Sequence, residues 1–289
     1  MPDTPIIDTH IHLFDTNRPQ GVPWPAPDDP VLYKPALPAR YADLAVPLGV
    51  MGAIVVEASP WVEDNQWVLD LTSGNALIVG MVGNLDPGSP DFRGHFERLR
   101  RNPRFLGFRY GNLWGRDLGA DLGKDGFVES LEAVADAGLV LDSANPDLAL
   151  LEALVRVTDR VPRLRVIVDH LPQMLPPAEE RARRAYDSAL RELGGRPQVY
   201  VKISQVLRKE NGRVPLDLPF YREQLDRVWD TFGPNRVLYG SDWPNSGLWG
   251  EYRHVLGLVD AFFSSKRPED AAKYFWKNSI AAYRWRAME

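Results

Sequence analysis

Two histidines near the start of the chain have the spacing of a catalytic or metal-binding pair. They end the apolar run Ile6-Ile7-Asp8-Thr9-His10-Ile11-His12, which has the composition of a buried strand. Because side chains alternate along a strand, His10 and His12 point the same way, with Asp8 deeper on the same face. Two converging imidazoles can hold a divalent cation or polarise a carbonyl group. The alternative is a buried strand with two structural histidines.

Composition excludes several classes of protein. The chain has 289 residues, a net charge of -5 and a pI near 5.6, so neither nucleic acid nor an anionic membrane is an expected partner. It has no cysteine, which excludes disulfides and suits a reducing cytoplasm. The sequence shows no secretory leader and no apolar run long enough to cross a bilayer. We expect a cytoplasmic protein that acts on a small molecule; a homo-oligomer stays open.

Eight short, mostly continuous apolar runs alternate with amphipathic segments. Continuous runs are typical of parallel strands that are covered on both faces. In a chain of this length, such an alternation favours a single (β/α)8 TIM-like barrel over residues 1–289 rather than an open sheet. The predicted strands are 6–12, 52–58, 76–85, 105–110, 139–143, 165–170, 199–204 and 236–242, and the clearest helices are 92–101, one from 148, 178–193, 220–232, 252–263 and 268–283.

The segment 19–38 interrupts this alternation with seven prolines. Such a segment cannot form a helix or a central strand. It follows the first strand, so it should lie on the face of the barrel where active sites form. We interpret it as a semi-rigid lid that carries Trp24 and Tyr33 over a pocket; a surface arm or an oligomer contact is the alternative.

Polar side chains end most of the predicted strands, where barrels of this kind carry their chemistry. If His170 and Asp242 face inward, the residues two and four positions before them are small or apolar, as a barrel interior requires. These two residues therefore join His10 and His12 in one candidate site, whereas the other two histidines lie on predicted helices and should be at the surface. The strand ends carry Asp8, His10, His12, Glu57, Arg109, Asp142, Ser143, Asp169, His170, Lys202, Ser204 and Asp242.

Four segments, in this order, resemble the amidohydrolase superfamily, in the amidohydrolase-related (amidohydrolase 2) branch that holds sugar-acid lactonases and 2-pyrone-4,6-dicarboxylate lactonase. They span nearly the whole chain, and the ordered set is far more specific than the first motif alone. The segments are IDTHIH at 7–12, VDHL at 168–171, VKIS at 201–204 and LYGSDWP at 238–244.

The resemblance implies a distorted (β/α)8 barrel that hydrolyses an ester or lactone. It implies His10, His12, His170 and Asp242 as the metal-binding set, with His170 and Asp242 as catalytic residues. Asp242 would activate water or shuttle its proton. The chain departs from the fuller superfamily pattern, because strand 139–143 ends without a histidine and no strand ends in a lysine that could bridge two metals. At most one divalent ion is therefore expected, with zinc favoured.

Two mechanisms fit this set. In the first, the four residues hold one zinc-like ion, which lowers the pKa of bound water to about 7. In the second there is no metal: Asp242 is the general base for water, and the imidazoles donate hydrogen bonds to the lactone carbonyl and stabilise the oxyanion. The resemblance allows both, since some lactonases of this branch work without a cation.

Three charged residues are candidates for substrate binding. Arg109 can place its guanidinium on a carboxylate or a ring oxygen; a structural pair with Asp142 or Glu57 is the alternative. Glu57 can accept a hydrogen bond from a ring hydroxyl or ligate a metal, or it can be a salt-bridged barrel residue. Lys202 can bind substrate, or it can form a buried pair with Asp169.

Aromatic residues close to the strand ends complete the predicted site. Trp61 and Trp243, together with Trp114, can form walls against a flat ring. Each of them alone can also serve only in packing.

The sequence therefore predicts a hydrolase that opens a small lactone of a sugar acid or of an aromatic-catabolite acid. The alternative within the same branch is a metal-dependent non-oxidative decarboxylase, in which Arg109 would hold the carboxylate. A third alternative, from another class, is a catalytically inactive barrel used for binding. The intact set of polar strand ends argues against that third alternative.

Overall fold

Eight parallel strands form the centre of the molecule. The computed structural model describes residues 4–171 and 176–286. Each strand pairs in parallel with the next along the chain, so the order of strands in the sheet is their order in the sequence. All eight predicted strands are confirmed, within a few residues at their ends. They are Ile6–Ile11 (β1), Val50–Val56 (β2), Ile78–Asn84 (β3), Phe105–Arg109 (β4), Val140–Ser143 (β5), Arg165–Val168 (β6), Val199–Ile203 (β7) and Val237–Tyr239 (β8).

The barrel closes between β1 and β8 where these two strands reach its mouth. The N–H of Asp242 donates to the carbonyl of His10 at 2.8 Å, and the N–H of His12 donates to the carbonyl of Trp243 at 2.7 Å. Ile11 and Trp243 form an isolated parallel bridge there, whereas the seven other neighbouring pairs form ladders. The predicted distorted (β/α)8 barrel is therefore confirmed.

Strand β1 does not alternate regularly. Its register against β2 shifts between Asp8 and Ile11. Ile7 packs inside the barrel, whereas Asp8 turns toward two tyrosines of the surrounding helices. The prediction that Asp8 lies on the same face as His10 is wrong, because the irregularity in the strand reverses its side.

Apolar side chains fill the barrel below its mouth, which explains the continuous apolar runs in the sequence. A second and larger apolar layer lies between the strands and the helices. The polar strand ends therefore rest on a packed core rather than over a channel. The interior layer consists of Ile7, Ile54, Val56, Val79, Val82, Leu106, Val140, Ile167, Leu238, Ala282 and Tyr283.

Helices surround the strands. The predicted helices are confirmed, except that 268–283 is broken by a π-helical turn at Lys273–Lys277. Helices α1, α2, α4 and α5 were not predicted. No helix in the described ranges is both long and apolar enough to cross a membrane. The helices are Pro38–Ala45 (α1), Glu63–Leu71 (α2), Phe92–Leu99 (α3), Leu118–Asp121 (α4), Phe127–Asp136 (α5), Leu148–Arg160 (α6), Glu180–Gly194 (α7), Leu218–Phe232 (α8), Tyr252–Phe263 (α9), Pro268–Ala272 (α10) and Asn278–Tyr283 (α11).

The proline-rich loop lies against the mouth of the barrel. Just before it, Arg18 forms an ion pair with Asp64 of α2 at 2.8 Å and stacks over the ring of Trp67 at 4.4 Å. Within the loop, Trp24 packs edge-on against the imidazole of His12, with ring centroids 5.6 Å apart. The loop thus brings one of its two predicted aromatic residues to the site; its action as a lid stays a prediction.

Asp8 fastens β1 to the segment after β8 and to two helices. Its carboxylate accepts a hydrogen bond from the N–H of Ser241 at 2.8 Å and from the hydroxyls of Tyr41 and Tyr252, each at 2.9 Å. Burial raises the pKa of Asp8, but these donors oppose the shift. The carboxylate therefore joins β1 to three other segments and is a structural acceptor rather than part of the site.

Replacing Asp8 by alanine should lower the free energy of unfolding by about 3 kcal/mol or more, because three buried donors lose their partner at once. Chemical denaturation measures this loss. Asp28→Ala, at an exposed position of the proline-rich loop, is the control and should change stability by less than about 0.5 kcal/mol. Equal, small losses in the two variants would contradict the role given to Asp8.

Candidate active site

Three imidazoles converge on one carboxylate oxygen at the mouth of the barrel. The Nε2 atoms of His12, His10 and His170 lie 3.2, 3.6 and 3.8 Å from Oδ1 of Asp242. The first two histidines come from β1 and its end, His170 follows β6, and Asp242 follows β8. All four side chains are buried. The structure therefore brings together the four residues that the sequence predicted as one site.

Further hydrogen bonds orient these four side chains. Nδ1 of His12 lies 3.0 and 3.1 Å from two backbone carbonyls at the end of β2. Carbonyls only accept, so Nδ1 carries a proton, and Nε2 points toward Asp242. Nδ1 of His170 lies 2.8 Å from the hydroxyl of Ser204, and the amide of Asn245 donates to Oδ2 of Asp242 at 2.7 Å.

A buried ionic cluster lies directly behind His10. The ammonium of Lys202 is 2.7 Å from Asp142, 3.0 Å from Asp169 and 3.2 Å from Nδ1 of His10. Tyr283 donates to the same oxygen of Asp142 at 2.8 Å. Burial raises the pKa of Asp142 to about 6, against the opposing charge of Lys202. Lys202 has no exposed surface and does not line the cavity; the structure places it in the buried pair with Asp169 that was the alternative.

Glu57 and Arg109 form a buried ion pair at the side of the site. The Nε of Arg109 donates to the Glu57 carboxylate at 2.7 Å, and Nη2 donates to the Glu57 carbonyl at 2.9 Å. The indole N–H of Trp114 donates to the same carboxylate at 3.1 Å. Burial alone would lower the pKa of Arg109, but the charge of Glu57 raises it. Glu57 is therefore a salt-bridged residue, and the charge of Arg109 is already paired.

An open cavity of about 840 Å³ leads to the four converging residues. Trp24 and Trp114 supply its aromatic surface. Trp61 and Trp243 do not line it: Trp61 is 37% exposed outside, and Trp243 is 4% exposed and packs against Tyr41. The lining residues are His12, Trp24, Ala58, Arg109, Leu113, Trp114, Ala144, Asn145, His170, Gln205, Asp242 and Asn245.

Sequence reasoning did not find three carboxamide residues of this cavity: Asn145, Gln205 and Asn245. They stand one to three residues beyond a strand end or a predicted site residue. A backbone signal marks the region, because five of the seven described non-glycine residues with positive φ line the cavity. Positive φ in non-glycine residues is uncommon and concentrates at functional sites. The five are Trp114, Asn145, His170, Gln205 and Asp242.

Comparison with known proteins identifies the family of this chain. The sequence profile of the amidohydrolases matches residues 7–285. The chain belongs to the amidohydrolase family. The match confirms the family predicted from the four segments, and it agrees with the prediction that the chain is a hydrolase.

Two curated proteins resemble this amidohydrolase along nearly their whole length. An L-fucono-1,5-lactonase from Burkholderia ambifaria is 31% identical over 290 residues, which cover 96% of the chain and 95% of that protein. An L-fucono-1,5-lactonase from Burkholderia multivorans is 27% identical, with 95% of the chain and 94% of that protein covered. Both relatives are thus lactone hydrolases.

Solved structures share the fold of this amidohydrolase. A Burkholderia multivorans amidohydrolase with bound zinc superposes with a TM-score of 0.84 at 23% identity, covering 97% of the chain and 99% of that protein. A Pseudomonas putida protein, described as a candidate 2-pyrone-4,6-dicarboxylic acid hydrolase, gives a TM-score of 0.75 at 20% identity, covering 98% of both chains. At these identities the likeness concerns the fold alone.

The donor set of this amidohydrolase suits a divalent cation. The ligand atoms of His10, His12 and Asp242 all lie within 4.8 Å of one another, and so do those of His10, Asp169 and His170. Nε2 of His10 is buried and has no hydrogen-bond partner among the described residues. Imidazole nitrogens and a carboxylate oxygen are the ligands that zinc takes in catalytic sites.

The charge balance around the site also favours a cation. The ion pairs described above contain two cationic side chains, Arg109 and Lys202, and four carboxyl groups. All six side chains are buried. An excess of carboxylates in a site with little water is compensated by a metal ion or by a proton. The four carboxyl groups are those of Glu57, Asp142, Asp169 and Asp242.

The environment keeps Asp242 ionised and two of the imidazoles neutral. Burial alone would raise the pKa of Asp242, but the surrounding imidazoles, first that of His170, hold it well below its usual range. Burial and then the charge of Lys202 hold the pKa of His10 well below its usual value. Burial also lowers the pKa of His170, although Asp242 and Asp169 oppose it. The site thus offers lone pairs and negative charge at neutral pH.

The lowered pKa of His170 predicts a pH dependence of stability in metal-free buffer. Below pH ~6.5 the unfolded imidazole binds a proton that the folded one does not, so stability falls as the pH falls. The unfolding free energy of the wild type, relative to His170→Asn, should therefore drop by up to about 1.4 kcal/mol per pH unit between pH 7 and 5.

Urea denaturation at several pH values measures this difference. His95→Asn, on the outer helix α3, is the control and should follow the wild type at each pH. A constant difference between the wild type and His170→Asn across this range would contradict the prediction.

Proposed function

We propose that this amidohydrolase hydrolyses a neutral, polyhydroxylated lactone of a sugar acid, with Asp242 as the base for the attacking water. The convergence of His10, His12 and His170 on Oδ1 of Asp242, at the end of an open cavity, carries the proposal. The two curated relatives that match the chain end to end support the choice of a sugar-acid lactone.

The two oxygens of Asp242 have different surroundings. Oδ2 accepts a hydrogen bond from Asn245, and Oδ1 lies among the three imidazoles. As the water oxygen bonds to the lactone carbonyl carbon, the carboxylate of Asp242 takes a proton from it. The ring C–O bond then breaks, and the same proton passes to the departing ring oxygen. The product is an open-chain hydroxy acid.

The strongly lowered pKa of Asp242 makes it a weak base, so a second group must stabilise the charge that develops on the carbonyl oxygen. His12 and His170 line the cavity beside Asp242 and are the residues placed to do so. His10, His12, His170 and Asp242 would also hold one divalent ion, for which we propose zinc. Such an ion supplies Lewis-acid polarisation and lowers the pKa of bound water to about 7.

The charges in the cavity favour a neutral substrate over a carboxylated one. Arg109 is the only cationic lysine or arginine among the described lining residues, and Glu57 pairs with it at 2.7 Å. A dicarboxylate, or the carboxylate of a decarboxylase substrate, would need a cation that is not already paired. No contact of the cavity therefore favours the decarboxylase alternative, and an aromatic dicarboxylate lactone fits less well than a sugar lactone.

Hydrolysis of L-fucono-1,5-lactone, followed by acid release above the spontaneous rate, tests the proposal. We expect turnover by the wild type and little or none with 2-pyrone-4,6-dicarboxylate. Asp242→Asn keeps the shape of the side chain, but its amide cannot take a proton. We therefore expect kcat to fall by about 10²-fold to 10⁴-fold. Asp125→Asn, at an exposed position, is the control and should keep wild-type activity.

The proposed function would be overturned if the folded wild type hydrolysed neither the sugar-acid lactone nor the dicarboxylate lactone. Undiminished activity in Asp242→Asn would leave the reaction standing but would remove Asp242 as its base.

Metal binding gives an independent test of the ligand set. We expect the metal-free protein to take up one zinc ion per chain, measured by competition with a chromophoric chelator. His12→Asn should weaken this binding by at least about 10-fold, since one ligand nitrogen is lost. His254→Asn, on α9 outside the site, is the control. Equal affinity in the two variants would contradict the proposed ligands.

A further inference from the structure

Gln205 stands out among the residues that line the cavity. Gln205 lies two positions after the end of β7, and only 6% of its surface is exposed. Its backbone φ is 49°. Its side-chain amide makes no hydrogen bond to any residue in 4–171 or 176–286. No atom of this amide is among the fully buried, unpartnered polar atoms of the described residues, so the amide reaches the space of the cavity and is available to a ligand there.

Two other carboxamides near the site are satisfied by the protein. Asn245 donates to Asp242 at 2.7 Å, and Asn84 donates to the carbonyl of Ser59 at 2.8 Å. Asn145 is the other cavity carboxamide whose side chain has no hydrogen bond within the described ranges. The amides of Gln205 and Asn145, which have no partner among the described residues, thus both lie at the space that a substrate would fill.

The backbone at Gln205 also argues against a purely structural role. A left-handed φ is adopted at lowest cost by glycine and next by asparagine, whose short side chain can bond locally. Glutamine gains no such local bond here. The position therefore carries a long polar side chain in an unfavourable backbone conformation, directly after Ser204, the partner of His170.

The chemistry of the amide defines what it can bind. A carboxamide offers two donors and one acceptor and has no charge. That combination matches a hydroxyl group, which both donates and accepts, better than a carboxylate, which only accepts. It agrees with a cavity whose one guanidinium is already paired by Glu57.

We propose that Gln205 is a specificity-determining residue, which hydrogen-bonds a ring hydroxyl of the lactone and discriminates hydroxylated from unsubstituted lactones. This inference rests on the proposed function. A site that is built to hydrogen-bond a hydroxyl rejects an analogue without it, because the polar group of the protein is then left buried and unpaired.

A substitution at Gln205, assayed on two substrates, tests the inference. Gln205→Met keeps the length and the unbranched shape of the side chain and removes its hydrogen bonds. We expect kcat/KM for L-fucono-1,5-lactone to fall by about 10-fold to 100-fold, the range expected when a hydrogen bond to substrate is lost. For a six-membered lactone without ring hydroxyls, kcat/KM should stay the same or rise. The ratio of the two values is the readout.

Gln198→Met is the matched control, since Gln198 directly precedes β7 at the opposite end of the barrel. This substitution should leave kcat/KM for both substrates unchanged. An equal fall on both substrates in Gln205→Met, or no change on either, would overturn the inference. A wild type that hydrolyses neither lactone would instead overturn the proposed function, so the two failures can be told apart.

Discussion

The closure between β1 and β8 is the constraint on which the site depends. Two backbone bonds join these strands, Asp242 to His10 and His12 to Trp243, and three of these four residues also bring their side chains together at the site. Asp8 reinforces this junction from the outer side through Ser241. The position of Asp242 relative to the imidazoles is therefore fixed by main-chain geometry, which is stiffer than side-chain contacts alone.

Charge is separated within the molecule in a way that shapes the cavity. Lys202 and the two carboxylates that pair with it are buried behind His10, and Glu57 forms an ion pair with Arg109 beside the opening of the cavity. These paired groups hold their neighbours in place but present little free charge to a ligand. The cavity surface is left with the carboxylate of Asp242, imidazoles, indoles and carboxamides. Such a lining suits an uncharged molecule that carries many hydroxyl groups.

The barrel and its four central residues could be predicted because buried parallel strands leave continuous apolar runs, and the polar residues after them meet at one end. The side of Asp8 could not, since the register shift in β1 has no marker in the sequence. Trp61 was misplaced because an aromatic residue in a loop can turn either way. Gln205 lies in a loop and Asn245 begins the short 3-10 helix Asn245–Leu248, and the path of both segments depends on contacts far away in the chain.

The junction of β1 with β8 has a consequence for how the protein is made. Residues 230 positions apart, His12 and Asp242, must come together, so neither half of the chain can form the reactive centre alone. While a ribosome is still adding the later strands, the outer edge of β1 has no neighbour to pair with. An unpaired edge of this kind is open to association with other chains. Joining the first and last strands at the site thus leaves the edge of β1 unpaired until the end of the barrel has been made.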